Sequence, residues 1–156
     1  MTFARRSGGG WAAPSTVKRM SGGAWADVQN IYRRTGGTWV LAWKKYTPVS
    51  GTITPGQANG SLTSASGASG VPVSNTVTAQ GANGNGSYTY NWRIGSVSDG
   101  GALPNISNAN AQAVTISRIV TNNTGTINGT LICTISDGTS AVDVSVPYNL
   151  SYSNRN

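Results

Sequence analysis

Within its first forty residues the chain repeats one seven-residue phrase three times, at intervals of fourteen. It reads Arg5-Arg6-Ser7-Gly8-Gly9-Gly10-Trp11, then Arg19-Met20-Ser21-Gly22-Gly23-Ala24-Trp25, then Arg33-Arg34-Thr35-Gly36-Gly37-Thr38-Trp39. The pattern is Arg, any residue, Ser or Thr, two Gly, a small residue and Trp. A Gly pair at that interval interrupts any long helix, because Gly is a poor helix former. It also supplies the positive φ that tight turns need, at little steric cost. Between the pairs lie Val17, then Val28, Ile31 and Tyr32, then Val40, Leu41, Trp43 and Tyr46. Trp25, Val28, Ile31 and Tyr32 also fit helical spacing, but the recurring Gly pairs favour short strands joined by turns.

The same stretch carries the charge. Residues 1–47 hold eight Lys and Arg against Asp27 alone, whereas residues 48–156 hold three Arg against three Asp. The whole net charge of +7 therefore sits in the first third, with four of the five Trp. Forty-seven such residues cannot close much of a core alone. The repeated side chains therefore read as interface anchors, since Trp and Arg dominate such contacts. We assign that role to Arg5, Trp11, Arg19, Trp25, Tyr32, Arg33, Trp39 and Trp43. Basic residues interleaved with aromatics also suit nucleic acid. The basic doublets are evenly spaced rather than clustered, however, and no nucleic-acid motif is present, so nucleic acid is the weaker partner.

Composition narrows the chemistry. The chain has no His, one Cys, and Asp27, Asp99, Asp137 and Asp143 as its only acids. No His-based triad or metal site can be built, and a nucleophile–base pair is hard to assemble, so no enzyme and no cofactor are expected. Asp99, Asp137 and Asp143 could serve Ca²⁺ at a loop cluster. Asp99-Gly100 and Asp137-Gly138 read more simply as turns. No apolar run is long enough for a transmembrane helix. Met1 to Gly10 lacks the apolar stretch of a secretory signal, so membrane insertion is not expected.

From residue 48 the composition changes. Residues 48–70, rich in Gly, Ser, Thr and Pro, read as a linker with a first edge strand near 61–64, although the folded domain could begin near 50. Strand signals then recur through 71–156. Tyr88, Tyr90, Trp92 and Ile94 alternate with polar residues, as do Leu131, Cys133 and Ile135, and later Val142, Val144 and Val146. The fold class expected is all-β, with a short-stranded repeat arm over 1–47 followed by a sandwich.

The second segment resembles an immunoglobulin-like domain. Trp92 matches the core Trp of the third strand in that family, and Leu131-Ile132-Cys133-Thr134-Ile135-Ser136-Asp137-Gly138 matches the penultimate strand and the hairpin after it. The second-strand Cys is missing, with Val77 or Thr78 in its place, and Leu131 occupies the tyrosine-corner position. The resemblance therefore leans to the broader bacterial and phage group. It implies a core containing Trp92, Tyr90, Leu131, Cys133 and Ile135, with Cys133 as a small buried apolar residue.

Together, tandem Gly-Gly-x-Trp units and an immunoglobulin-like domain resemble small virion proteins of tailed bacteriophages. That resemblance implies a homo-oligomeric structural component of the tail tip or fibre, located in the virion and assembled in the bacterial cytoplasm. Its arm would hold it to other virion proteins and to copies of itself. A head-decoration protein is one alternative. Another is a carbohydrate-binding adhesion module, with Tyr148 and Tyr152, and Tyr88 beside them, as contacts for a host-surface glycan.

Overall fold

A computed structural model describes residues 5–7, 10–12, 16–65, 68–120 and 125–155; for 5–7, 10–12, 154 and 155 it describes the backbone alone. Among these residues the chain is all-β, with no helix. It divides into two compact units, Met1–Thr47 and Pro48–Asn156.

The first unit is a series of hairpins. β1 (Arg5–Ser7) pairs with β2 (Gly10–Ala12), β3 (Val17–Ser21) with β4 (Ala24–Val28), and β5 (Asn30–Thr35) with β6 (Thr38–Lys44), each pair a separate two-stranded sheet. The turns at Gly22-Gly23 and Gly36-Gly37 have φ of 60° and 81°, and 58° and 87°. Positive φ at both central residues is what a two-residue type I′ turn requires, and its twist suits the flanking strands. Gly8 and Gly9 lie outside the described residues, but Ser7 pairs with Gly10 as Ser21 pairs with Ala24 and Thr35 with Thr38. The second and third repeats are thus two-residue hairpins, and the backbone pairing of the first has the same register.

The second unit has two sheets around one core. β7 (Ser50–Thr54), β9 (Val77–Ala82) and β12 (Ala113–Val114) form a three-stranded sheet in the order β12-β9-β7. The other sheet runs β10-β14-β15-β8 and contains β10 (Thr89–Val97), β14 (Gly125–Ser136), β15 (Ala141–Arg155) and β8 (Ala58–Ala65). β8 runs parallel to β15; the other pairings are antiparallel. β11 (Asn105–Ile106) and β13 (Ile116–Ser117) add a short pair.

Alternation along the strands fills the core. Ile127, Leu131, Cys133 and Ile135 of β14, and Val146, Tyr148, Leu150 and Tyr152 of β15, are all buried. Val77 and Ala79 come from β9, Val114 from β12 beside it, Ile116 from β13, and Trp92 from β10. Trp92 donates its indole N–H to the Ala111 carbonyl at 2.8 Å, which ties the irregular segment before β12 to the core. Tyr90 packs half-buried against the same cluster. Of the two residues placed opposite the missing Cys, Val77 is the buried one and Thr78 is half-exposed. Burial pushes the Cys133 thiol up to about 11.

Much of the linker expected over 48–70 is strand, and the edge strand expected near 61–64 lies within β8, at the edge of its sheet. β7 and β8 occupy most of it, one in each sheet, with Pro55 in a cis peptide between them. Their inward positions include Gly51, Ala58 and Gly60. A Cβ on Gly60 would lie 2.5 Å from the Val73 carbonyl oxygen, and one on Gly51 would strike Ile135. Close backbone approach demands small residues there, so the strands lack the apolar alternation that marks the others.

Asp137 joins two loops at one end. It is 7% exposed and accepts backbone N–H bonds from Asn85 at 2.9 Å, Thr139 at 2.9 Å and Ser140 at 2.8 Å. Asp137→Ala removes a buried carboxylate from three backbone N–H donors and is expected to cost about 2–4 kcal/mol, with Leu131→Ala costing about 2–5 kcal/mol. Urea unfolding followed by Trp92 emission measures both, and a change under 1 kcal/mol (about the size of an ordinary surface effect) contradicts the assignment.

Candidate docking surface

Register decides what each hairpin presents. The residue before Ser or Thr in each repeat sits directly opposite the Trp: Arg6 faces Trp11, Met20 faces Trp25, and Arg34 faces Trp39. The first Arg of each repeat pairs one step further on, Arg5 with Ala12, Arg19 with Ala26 and Arg33 with Val40. Successive residues of a strand point to opposite faces. The β3–β4 and β5–β6 hairpins therefore carry their Trp on one face and their repeated Arg on the other. Lys18 and Asp27 share the Trp face of the β3–β4 hairpin, and Tyr32 and Leu41 that of the β5–β6 hairpin.

Among the described residues of the first unit, nothing covers these faces. No residue between 16 and 47 is buried. Trp25 is 66% exposed and Trp39 67%, and Met20, Tyr32, Val40 and Leu41 are exposed as well. Trp43 is half-buried; Arg19 and Arg33 are exposed. The side chains of Arg5 and Trp11 lie outside the described residues. A single two-stranded hairpin is marginal in water, since it has one face to bury and nothing to bury it against. Lys45 joins the two described hairpins, its backbone N–H bonding the Gln29 carbonyl at 2.7 Å and its ammonium lying 2.8 Å from Asp27.

The sugar-contact candidates are overturned by burial. Tyr148 is 1% exposed and Tyr152 2%. The Tyr148 hydroxyl donates to the Ser96 carbonyl at 2.9 Å and the Tyr152 hydroxyl to the Ala68 carbonyl. The inward parity of Val146 continues past Pro147 through both Tyr. Tyr88 is half-buried and donates to the Asn83 carbonyl at 2.5 Å.

The acids are committed within the chain. Asp27 is bonded to Lys45, with Lys18 at 4.0 Å. Arg118 lies 2.9 Å from Asp99, and Arg93 lies 2.5 Å from Asp143, which also accepts the Thr134 hydroxyl. No group of acids that could hold a metal occurs among the described residues. Two open clefts, about 330 and 600 Å³, flank Arg118. Exposed Val71, Leu103 and Ile119 line the larger one.

The class defined so far is an all-β chain pairing a core-bearing unit with a coreless, basic, Trp-faced one. No family model matches it, and no curated protein matches it. Among solved structures it is similar to a nucleoside hydrolase-related hypothetical protein from Saccharophagus degradans associated with carbohydrate metabolism, at 14% identity and a TM-score of 0.46. That match covers 70% of this chain and 26% of the other, so the chain spans about a quarter of that protein. Titin domain M7 is similar at 19% identity and a TM-score of 0.33, over 65% of this chain and 92% of that one. Both scores fall below 0.5, so neither likeness says what this chain does.

Two measurements check this surface. Iodide should quench most Trp emission of the full chain, and Trp25→Phe with Trp39→Phe should remove most of the quenchable part while Trp92, 3% exposed, stays protected. Little change on that double substitution contradicts the exposed faces. The second measurement is the pH dependence of stability. Hydrogen bonding from Arg118 holds the Asp99 carboxyl below its usual 3.8, and Arg93 does the same for Asp143. A depressed folded pKa gives stability that is present above the unfolded value and lost as pH falls through the folded one. The urea midpoint of the second unit should thus hold level from about pH 7 to 5 and fall below about pH 4, with a smaller fall in Asp143→Asn.

Proposed function

We propose that this chain is a non-enzymatic structural component of a tailed-bacteriophage particle, of the tail-tip or fibre-associated kind. Residues 1–47 are its anchoring arm, and the second unit is an immunoglobulin-like domain that the arm secures. One observation carries the anchoring role. The unit that repeats its sequence buries none of residues 16–47, yet repeats a large apolar side chain at the same hairpin position. Side chains arranged that way gain little from folding alone and much from being covered by another molecule.

The immunoglobulin-like reading is supported by strand order. β7, β9 and β12 correspond to the first, second and fifth strands of such a domain, and β10, β14 and β15 to its third, sixth and seventh. Trp92 on β10 lies beside Cys133 on β14, where that family places its core Trp and second Cys. The virion assignment is supported by the pairing of such a domain with tandem Gly-Gly-x-Trp hairpins. The particle, rather than a solution enzyme, also suits a chain whose four acids are all committed to its own partners.

Residues 48–156 produced alone should fold, with a cooperative urea transition and protected Trp92, and should be missing from particles when supplied in place of the full chain. Normal incorporation of the truncated chain sinks the anchoring role.

A further inference from the structure

We infer that the Trp-bearing faces of the β3–β4 and β5–β6 hairpins dock on a second protein, on a surface with an apolar centre and an acidic rim. The inference deepens the anchoring reading by naming what the arm binds. The apolar part follows from exposure. Met20, Trp25, Tyr32, Trp39 and Leu41 share these faces by register, and all are exposed. The opposite faces hold Arg19 and Arg33 beside Ala26 and Val40. Each of these two hairpins thus gathers large apolar side chains on one face, with Lys18 or Arg34 beside them, and sets a further Arg on the other face, so it suits an apolar groove with acids along its edges.

The acidic rim follows from charge. Residues 1–47 carry the whole net charge of +7. Asp27 is held by Lys45, Asp99 by Arg118 and Asp143 by Arg93, while Asp137 accepts three backbone N–H groups. A second copy would therefore bring another strongly basic unit and no uncommitted carboxylate to meet it. Like charges across an interface oppose association. The acids must come from a different molecule.

Nucleic acid fits these faces less well. Bases stack on flat rings, but Met20 and Leu41 gain mainly from apolar burial, which a sugar-phosphate chain does not supply. Asp27 also lies on the Trp face, in register with Lys18 and two pairs along from Met20 and Trp25. A phosphate backbone tracking that face would meet a carboxylate, whereas a protein surface can place its acids away from it.

The test uses the full chain and three probes: a random copolymer of Glu and Tyr, polyglutamate of equal length, and oligo(dT). Binding is followed by Trp emission across a salt series. The copolymer should bind at least about tenfold more tightly than either other probe. Trp25→Ala with Trp39→Ala should weaken it about tenfold or more at both low and high salt. Arg19→Glu with Arg33→Glu should weaken it mainly at low salt, where charge attraction is least screened. An undiminished urea transition for residues 48–156 within each variant shows that the second unit still folds. Tighter binding to oligo(dT), equal binding to polyglutamate, or self-association in sedimentation that the Trp substitutions abolish would each overturn the inference. Copolymer binding by a chain that particles lack removes the virion reading and leaves the acidic partner in place. Particles that hold the chain while every probe fails remove the acidic partner instead.

Discussion

The second unit depends on the register of one long hairpin. β14 and β15 pair from Gly125 opposite Tyr152 to Ser136 opposite Ala141. Because side chains alternate, that single register commits a whole set of residues to the interior at once, and a one-residue slip would turn the set outward. Gly129 makes the register sterically specific. It faces Tyr148, and a Cβ there would collide with the Tyr148 ring and the Ser96 carbonyl. The bare backbone lets the Tyr148 hydroxyl reach Ser96 on β10, so one buried side chain links three adjacent strands. β8 and β10 complete the sheet on either side of this pair, and β7 and β9 close over it.

The two units obey opposite logic. In the second, apolar residues alternate and disappear into a shared core, and polar groups that enter the core find partners, as Trp92, Tyr148 and Asp137 do. In the first, the strands are as regular and the turns better defined, but there is no second layer. Local geometry is satisfied by the Gly pairs and the ladder hydrogen bonds. The hydrophobic requirement is left unmet at Trp25 and Trp39. Folding and docking are thus separated: the hairpin sets the position of each Trp, and burial of that Trp needs another surface.

Sequence legibility follows the same division. The arm's turns were readable because Gly-Gly has one common use in a two-residue hairpin, and the φ values at Gly22 and Gly36 show that use. Leu131, Cys133 and Ile135 were readable as one buried face because three successive inward positions are apolar. β8 was readable only as an edge strand near 61–64, and β7 not as a strand, since Gly51, Ala58 and Gly60 stand among their inward positions beside Ile53 and Leu62, and there approach distance selects size and hides hydrophobicity. Tyr148 and Tyr152 were misplaced for a different reason. Pro147 looks like a strand end, yet it stands at the last position of β15 before β8 joins at Tyr148. A Pro is tolerated where no neighbouring strand yet claims its N–H. Counting by twos from Val142 carries the inward face straight through both Tyr.

That contrast also bears on why the repeat persists as a repeat. A residue in a closed core is shaped by its own neighbours, so successive strands of the second unit share a period but no motif. A residue on an uncovered hairpin is shaped by whatever covers it. Three hairpins with the same register, the same Gly pair and the same Trp position meet one kind of requirement three times. The residue paired with the Trp varies between Arg6, Met20 and Arg34, while the Trp and the first Arg of each repeat do not. The invariant positions are those that a two-residue turn, an apolar contact and a cation each need. The variable one can be long and charged or long and apolar, provided it lies beside an indole.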